Sequence, residues 1–280
     1  CENFERHMHR GDPHAGRTFL TRDCVRKHEA FAWGGARYTW HYVNTLGTTT
    51  LIDGVAAVKH CVYDQNTVEA GELAEALLCD FEGHESLRGK LGDAPKFGND
   101  IDWVDRLGSR LIERAWSGLR SHTGPGGAFL PASIPWGLYV FKGRQVAATP
   151  DGRRAGEPLN ASIGAFHGRD TGGPTALIRS VTKLPLFRAL GSPVMNLRLQ
   201  RRVLADAPGR RKFAALIRSY MELGGMQIQI SVLDAEELRA AQKQPEDYRD
   251  LMVRIGGYSE YFTALGESFQ NSIIDRTEHQ

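Results

Sequence analysis

The sequence has almost no net charge, few cysteines and no long apolar run, and each absence excludes a class of protein. The 35 Lys and Arg residues nearly balance the 33 Asp and Glu residues, so charge gives no argument for nucleic acid or an anionic membrane. No apolar segment approaches the roughly 20 residues that cross a bilayer. The four cysteines form no C-x-x-C pair, and a chain of 280 residues needs no disulfide staples. We therefore expect a cytoplasmic protein without nucleic-acid or membrane partners.

Common local motifs of catalysis are also absent. The chain contains neither G-x-x-x-x-G-K-[ST] nor a strand-linked G-x-G-x-x-G, and it has no G-x-S-x-G nucleophile elbow. The segment CDFEGHE, residues 79–85, carries metal-binding residue types without a zinc spacing, which favours a solvated turn. Arg153 and Arg154 follow a Pro-Asp-Gly turn, where they either meet an anion or are solvated on a loop. Solvated arginines are the slightly favoured reading.

The first residues, CENFERHMHRGDPH, lack the apolar core of a signal peptide and also lack an initiator Met. We therefore expect a processed product or a part of a longer protein.

Hydrophobic periodicity predicts an α/β protein without a clear linker or repeat. Residues 123–175 are rich in Gly and Pro, which indicates loops and short strands. Alternation of Gln and Ile over 226–233 predicts a half-buried strand. Asn99 or Asp100 is the predicted N-cap of a long amphipathic helix, and Asp234 starts a variant of the capping box. Helices are predicted over 17–31, 50–63, 67–81, 100–120, 174–184, 209–223, 234–244 and 268–279, and strands over 36–43, 192–200, 226–233 and 251–255.

The stretch LMVRIGGYSEYF, residues 251–262, places Gly256 and Gly257 between two strand-like pieces. On local sequence alone, such a glycine pair indicates a hairpin turn or a bulge.

Five segments, in order along the chain, point beyond a turn. They are GGARY (34–38), APKFGND (94–100), TPDGRRAGEPL (149–159), HGRDTGGPTALIRSVTKLP (167–185) and PEDYRDLMVRIGGYSEYF (245–262). Together they resemble the C-terminal half of the glycyl radical enzymes, the superfamily of pyruvate formate-lyase and the glycerol, diol and hydroxyproline dehydratases. The resemblance covers about residues 17–279, with Phe97 in place of the family's usual Tyr.

The resemblance implies a fold and a domain division. The expected fold is the second half of a ten-stranded α/β barrel, built from two half-barrels of antiparallel strands and surrounded by helices, with a C-terminal glycyl radical loop. Strands 192–200 and 226–233 are its expected members. Residues 1–165 would form the C-terminal part of the lyase barrel domain, and residues 166–280 the glycyl radical domain.

The resemblance also implies that Gly257 carries the radical, which is the expected cofactor, with no metal and no dissociable cofactor in this chain. A radical at Cα is stabilised by the flanking amide nitrogen and carbonyl when these groups are coplanar, and a side chain would crowd them. Arg254, Gly256 and Tyr258 are the expected loop residues that contact a radical-SAM activating enzyme. The loop is expected to be buried from water and oxygen, as its flanks suggest: Val253, Ile255, Tyr258, Tyr261 and Phe262.

Two departures from the family pattern matter. Gly256 stands where the family usually has Ala, Ser or Cys. The Gly-Cys-Val/Ile motif that supplies the family's thiyl cysteine is absent, and Cys24 is the expected core thiol of a helical segment. The implied partners are therefore the missing N-terminal half of the lyase and, for the full enzyme, a second copy. A chain that is truly alone should be poorly soluble or need a partner, because barrel edges would be exposed.

The function implied is that of a glycyl radical lyase which cleaves C–O or C–C bonds of a small polar metabolite, with dehydratase-like features and an anaerobic setting. The alternatives are formate C-acetyltransferase activity, a radical-supplying subunit without catalysis of its own, and a decayed fragment.

Overall fold

The computed structural model describes residues 14–124, 127–134, 136–255, 257–276 and 278–279. Helices and strands alternate along these ranges, as the sequence predicts for an α/β protein. The α-helices are α1 (Ala15–Leu20), α2 (Cys24–Lys27), α3 (Thr48–Val58), α4 (Ala70–Leu78), α5 (Glu85–Asp93), α6 (Asp102–Arg120), α7 (Leu138–Gly143), α8 (Gly173–Thr182), α9 (Ala207–Glu222), α10 (Ala235–Lys243) and α11 (Glu267–Ile274). A π-helical turn, Lys59–Asp64, prolongs α3.

Strands within the described ranges form three small sheets. The first has the order β1–β3–β2, the second β5–β4–β8, and the third is the hairpin β6–β7. A parallel bridge between Ser133 and Pro193 joins the end of β3 to the start of β4. The strands are β1 (His41–Asn44), β2 (Thr123–Gly124), β3 (Gly127–Ala132), β4 (Val194–Leu199), β5 (Gln227–Val232), β6 (Met252–Arg254), β7 (Ser259–Tyr261) and β8 (Glu278–His279).

The two expected barrel strands are present as β4 and β5, but their pairing differs from expectation. β4 runs parallel to β5 over six residue pairs, from Val194 opposite Gln227 to Leu199 opposite Val232. β1 is likewise parallel to β3. The expectation of antiparallel strands is wrong for these pairs, because the chain returns from β4 to β5 through the 16-residue helix α9, as a parallel crossover requires. Closure into a ten-stranded barrel stays a prediction.

The predicted helices are present, with four corrections. The helix expected over 268–279 ends at Ile274, and Glu278–His279 form strand β8 instead. The expected helix over 17–31 is broken between α1 and α2, where Asp23 has a φ of 76°. The carboxylate of Asp23 accepts a 2.6 Å bond from Arg37 there. Helix α6 begins after Ile101, not after a side-chain cap, since Asp100 instead pairs with Lys183 at 2.8 Å. Residues 123–175 contain β2 and β3 as predicted, and also the unpredicted helix α7.

Two of the apolar clusters build most of the core, and one of them contains the base of the β6–β7 hairpin. The larger packs α3, α6 and α8 on β4 through side chains such as Ile52, Trp116 and Leu197. The second surrounds the β6–β7 hairpin and includes Val253 and Ile255, both almost fully buried. The hairpin therefore has a fixed base, which positions its tip. The boundary expected between residues 165 and 166 stays a prediction.

Candidate functional site

Gly257 lies at the tip of an antiparallel hairpin, which agrees with the local sequence prediction. Strand β6 pairs with β7 so that Arg254 faces Ser259, and the Ile255 N–H donates to the Tyr258 carbonyl at 3.0 Å. Gly256 lies outside the described residues. Gly257 has a φ of +85°, in the left-handed region that favours glycine. The tip therefore requires a glycine at position 257 for backbone reasons.

Space as well as backbone conformation restricts position 257. A Cβ built on Gly257 would lie 3.3 Å from Nε1 of Trp136 and 3.4 Å from Cδ1 of Ile134. Both neighbours would have to move slightly to admit a methyl group. Gly257 consequently sits close against another part of the chain while carrying no side chain of its own.

Both polar groups of Gly257 are hydrogen-bonded. Its N–H donates to Oε1 of Gln229 at 2.8 Å, and its carbonyl accepts from Nη2 of Arg254 at 3.2 Å. The Arg254 guanidinium also donates to the Ser259 hydroxyl at 3.2 Å. The structure thus brings Arg254 and Gly257 together as the sequence predicted. Gln229, however, was missed as a residue of the site.

Gln229 is oriented by a second amide. The side chain of Gln229 is buried, and its Nε2 donates to Oδ1 of Asn196 at 3.3 Å on the neighbouring strand β4. Asn196 in turn donates to the Ala161 carbonyl at 3.4 Å. Since the Gly257 N–H can only donate, the Gln229 oxygen must face Gly257, and the remaining donors and acceptors then match.

Burial of Gln229 corrects the sequence reading of β5. Alternation predicted a half-buried strand, yet Gln229 is its buried residue, while Ile228 and Ile230 are only partly buried. The face of Gln229 meets the glycine hairpin and the Asn196 amide, which supply polar partners. No local signal in the sequence reveals such a partner, because it comes from a segment about 30 residues away.

The hairpin tip is more exposed than predicted. Val253, Ile255 and Phe262 are at most 1% exposed, as expected, but Tyr258 is 44% and Tyr261 48% exposed. Gly257 itself is exposed. The expectation of a buried loop is therefore correct for its base and wrong for its tip, because nothing within the described ranges lies over the outer face of the tip.

An arginine anchors the base of the hairpin to the C-terminal helix. Arg276 donates to the Arg254 carbonyl at 3.2 Å and to the Ile255 carbonyl at 3.5 Å. It also contacts the Tyr139 hydroxyl at 3.4 Å, which forms a 2.8 Å bond with Ser272. The path of the chain into the glycine pair is thereby tied to α7 and α11.

A small cavity lies beneath the hairpin and contains an unusual histidine. The cavity measures about 40 Å³ and is lined by His167, Arg198 and Arg276, among others. The buried Nε2 of His167 has no hydrogen-bond partner among the described residues. Burial, reinforced by Arg276, lowers the pKa of His167 to about 3, so the ring is neutral at pH 7. At roughly 10–15 Å³ per water, this space holds a few waters and no metabolite.

Two of the motif segments are joined by a buried ion pair beside the core. Arg169 Nη1 lies 2.9 Å from Oδ2 of Asp53 and 2.5 Å from Oδ2 of Asp151. Both carboxylates are fully buried. Burial raises the pKa of Asp53 to about 6 despite the arginine. Arg169 therefore connects the HGRDTGG segment to the TPDGRR segment, and its role is to hold the framework.

Arg153 does neither of the things the sequence suggested. Arg153 is 1% exposed and donates to main-chain carbonyls, including Gly143 at 2.9 Å and Ala147 at 2.8 Å. Arg154 donates to the Asp80 carbonyl at 2.7 Å. The Arg153 guanidinium is therefore not left to bind an anion and instead closes its own loop, whereas Arg154 is partly buried.

The described cysteines, Cys24, Cys61 and Cys79, are free thiols. Cys24 is fully buried, which confirms the prediction of a core thiol, and burial raises the pKa of Cys61. Cys1 lies outside the described residues. Within the described ranges, no group of three or more His, Cys, Asp or Glu residues could hold a metal ion. No helix in the same ranges is long and apolar enough to cross a membrane.

Comparison with known proteins gives two matching family models. The model described as Pyruvate formate lyase-like matches residues 2–143, and the model described as Glycine radical matches residues 159–263. The second range includes the whole β6–β7 hairpin.

Individual relatives agree with the family models. The chain is 38% identical to the probable dehydratase YbiW of Escherichia coli, covering 93% of this chain and 34% of that protein. It is 34% identical to the trans-4-hydroxy-L-proline dehydratase of Clostridioides difficile, covering 91% and 33%. The glycerol-bound structure of glycerol dehydratase from Clostridium butyricum matches with 38% identity and a TM-score of 0.89, covering 94% and 34%. The chain thus spans about one third of the length of these relatives.

Proposed function

The chain belongs to the pyruvate formate lyase-like family and carries its glycine radical domain, and from this premise we propose that Gly257 is the residue that stores the radical. The observation that carries the proposal is the geometry of the tip. Gly257 has a φ of +85°, no room for a Cβ without displacing Trp136, and hydrogen bonds on both sides of its Cα. Gly256 remains the neighbouring candidate.

The radical would be installed by a radical-SAM activating enzyme. One Cα–H bond of Gly257 breaks homolytically, and the hydrogen atom passes to the carbon radical that the activating enzyme makes by reductive cleavage of S-adenosylmethionine. The exposed tip supports this step, since Arg254, Gly257 and Tyr258 are all accessible in this chain. These residues are the proposed contact with the activating enzyme.

The proposed overall reaction is dehydratase-like cleavage of a C–O bond in a small polar metabolite. Its support is that the relatives named above include dehydratases of trans-4-hydroxy-L-proline and glycerol. The stored radical supplies the one-electron chemistry that opens such a bond. Gln229 and Arg254 hold the glycine in place, and Arg276 fixes the entry to its loop.

A further polypeptide segment is proposed to complete the site. No Gly-Cys-Val or Gly-Cys-Ile motif occurs in this sequence, and the cavity beneath the hairpin is too small for a metabolite. Several aromatic side chains near edge strand β1 and the glycine tip are exposed, as expected for a face that another segment covers. They are Tyr38, Trp40, Tyr42, Trp136 and Tyr258, between 44% and 74% exposed. The segment would supply the thiyl cysteine and shield Gly257. A cytoplasmic, anaerobic setting and a homodimer of the complete enzyme stay predictions.

A second candidate function is that of a radical-supplying subunit that docks on a separate lyase chain. One observation favours it: Gly257 is exposed in a chain that has no thiyl motif of its own. Both candidates require a radical at Gly257, and they differ in whether the thiyl cysteine belongs to the same polypeptide.

The test is electron paramagnetic resonance after anaerobic treatment with an activating enzyme and S-adenosylmethionine. The proposal predicts a doublet from the remaining α-hydrogen, which collapses when the protein is made with α-deuterated glycine. The Gly257→Ala variant should give no such signal, whereas Gly266→Ala, a change in open space on the same segment, should keep it. Absence of a radical in the wild type, or an unchanged signal in Gly257→Ala, would contradict the proposal.

A further inference from the structure

The two hydrogen bonds of Gly257 have an electronic consequence. The N–H faces a carbonyl oxygen of Gln229 at 2.8 Å, and the C=O faces the cationic guanidinium of Arg254 at 3.2 Å. We propose that Gln229 and Arg254 polarise the two peptide groups flanking the Gly257 Cα in the directions that stabilise an unpaired electron there. The inference rests on the proposed function for the radical itself, although the polarisation exists in the unmodified chain.

The direction of each effect follows from elementary electronics. An unpaired electron at Cα is delocalised when the nitrogen lone pair donates toward the carbon and the carbonyl withdraws from it. A hydrogen bond from the N–H to an oxygen leaves more electron density on the nitrogen, which strengthens donation. A guanidinium on the carbonyl oxygen stabilises the negative charge that withdrawal places there. Gln229 and Arg254 therefore act on opposite sides of the same carbon, and both favour delocalisation.

Gln229 is preorganised for this role. It is buried on β5, directly opposite Asn196 on β4, and Asn196 accepts from its Nε2 at 3.3 Å. The amide of Gln229 cannot rotate by 180° without placing its NH₂ group against the Gly257 N–H and its oxygen against the Asn196 oxygen. A buried amide held in this way has low reorganisation when charge develops beside it.

Arg254 is also held, but by bonds at the surface. Its guanidinium donates to Ser259 as well as to Gly257, and its own carbonyl accepts from Arg276. The arginine thus bridges the two strands of the hairpin next to Gly257. A neutral side chain of similar length could preserve the fold of the hairpin, yet it could not place a positive charge at the Gly257 oxygen.

The first test uses the unmodified chain and selective isotope labelling. Gly257–Tyr258 is the one Gly–Tyr pair in the sequence, so carbonyl-¹³C glycine combined with ¹⁵N-tyrosine gives a single correlation, from the Gly257 carbonyl. Carbonyl-¹³C and ¹⁵N glycine together give correlations from the five Gly–Gly pairs, and Gly257→Ala identifies the one that belongs to the Gly257 amide.

Variants at the two positions should each change a different resonance of Gly257. Arg254→Gln should move the Gly257 carbonyl resonance upfield. Gln229→Leu should move the Gly257 amide proton upfield and speed its hydrogen exchange about fivefold, as loss of one ordinary hydrogen bond predicts. Gln229→Glu keeps an acceptor and adds a negative charge, so it should move the amide proton downfield. This second variant keeps the test decisive if Gln229→Leu fails to fold. Gln227→Leu on the same strand and Arg249→Gln in the same segment are the matched controls, and should change neither resonance.

The second test measures the spin density on the Gly257 Cα by electron paramagnetic resonance. In activated protein, Gln229→Leu and Arg254→Gln should each enlarge the α-hydrogen splitting of the doublet, because more spin remains on Cα. Splitting is independent of how much radical forms, so a weaker contact with the activating enzyme does not affect it. Unchanged resonances in the first test, or a wild-type splitting in both variants, would overturn the inference while leaving the proposed function intact. Absence of a radical in the wild type would overturn the proposed function, and the labelling test would still decide the polarisation.

Discussion

Arg169 offers the strongest test of what holds the framework around the glycine hairpin. Its guanidinium is the shared partner of Asp53 and Asp151, both fully buried, and it lies 4.2 Å from the centre of the Phe166 ring. Replacing Arg169 by Met preserves length and removes the charge. Two buried carboxylates then lose their cation, and breaking a buried pair in this way costs about 3–5 kcal/mol.

The pH dependence of this loss has a definite sign. Burial raises the pKa of Asp53 to about 6 with Arg169 present, and removing the arginine raises it further. A carboxyl group whose folded pKa lies above its unfolded value of 3.8 binds a proton more tightly when folded, so its contribution to stability falls as pH rises. The deficit of Arg169→Met should therefore be largest at pH 7 and shrink toward pH 5, where Asp53 is increasingly protonated.

The assay is equilibrium urea unfolding of wild type and variant at pH 7 and pH 5. Arg179→Met is the control, because Arg179 pairs with Asp100 at 3.2 Å but its side chain is 61% exposed. Such a surface pair is worth about 0–1 kcal/mol. A deficit for Arg169→Met below 1 kcal/mol at pH 7, or one that grows on acidification, would refute the reasoning.

Three further predictions concern the hairpin and the cavity beneath it. Gly257→Ala should destabilise the chain by about 1–2 kcal/mol in urea unfolding, since it forces a left-handed conformation on a residue with a Cβ. Ile255→Ala should cost about 2–5 kcal/mol in the same assay, because this fully buried side chain leaves a cavity. As the pH is lowered from 6.5 to 4, the stability of wild type relative to His167→Phe should fall by up to about 1.4 kcal/mol per pH unit. The reason is that the unfolded chain binds a proton at His167 in this range, whereas the folded chain does not bind it until about pH 3.

Each of these has a result that would contradict it. Met252 lies on the same strand as the hairpin base and is 53% exposed, so Met252→Ala should stay within about 0.5 kcal/mol of wild type. An Ile255→Ala loss equal to that of Met252→Ala would show that the base is not packed as described. An unchanged stability for Gly257→Ala would argue against the strained tip. Parallel pH profiles for wild type and His167→Phe would mean that His167 titrates normally.

The parts of the fold that the sequence predicts are those encoded by local patterns. Helical spacing of Leu51, Val55, Val58 and Val62 predicts the helix that the structure shows as α3 and its π-helical turn. Strand β4 falls within the predicted range 192–200, and five of its six residues are buried, as is typical of a strand within a parallel sheet. Pairing direction was predicted wrongly because it depends on which connection crosses the sheet, and α9 makes that crossover.

The candidate site likewise contains residues that the sequence predicts and residues that it does not. Gly257 and Arg254 were predicted from a resemblance to a motif, and the structure places them 3.2 Å apart through the Gly257 carbonyl and Nη2. Gln229 was not predicted, because its contact with Gly257 joins two segments 28 residues apart. Arg153 was misread for a related reason: its carbonyl partners exist only once the loop around it has closed.

The measurement that tests the central claim most directly is the site of backbone cleavage when the activated chain is exposed to oxygen. A radical on Gly257 should be quenched by oxygen with breakage of the main chain at that residue. Mass spectrometry of the two fragments should place the break at residue 257, and Gly257→Ala should remain intact. A break at Gly256, or no cleavage in a sample that carries a radical signal, would contradict the assignment of Gly257.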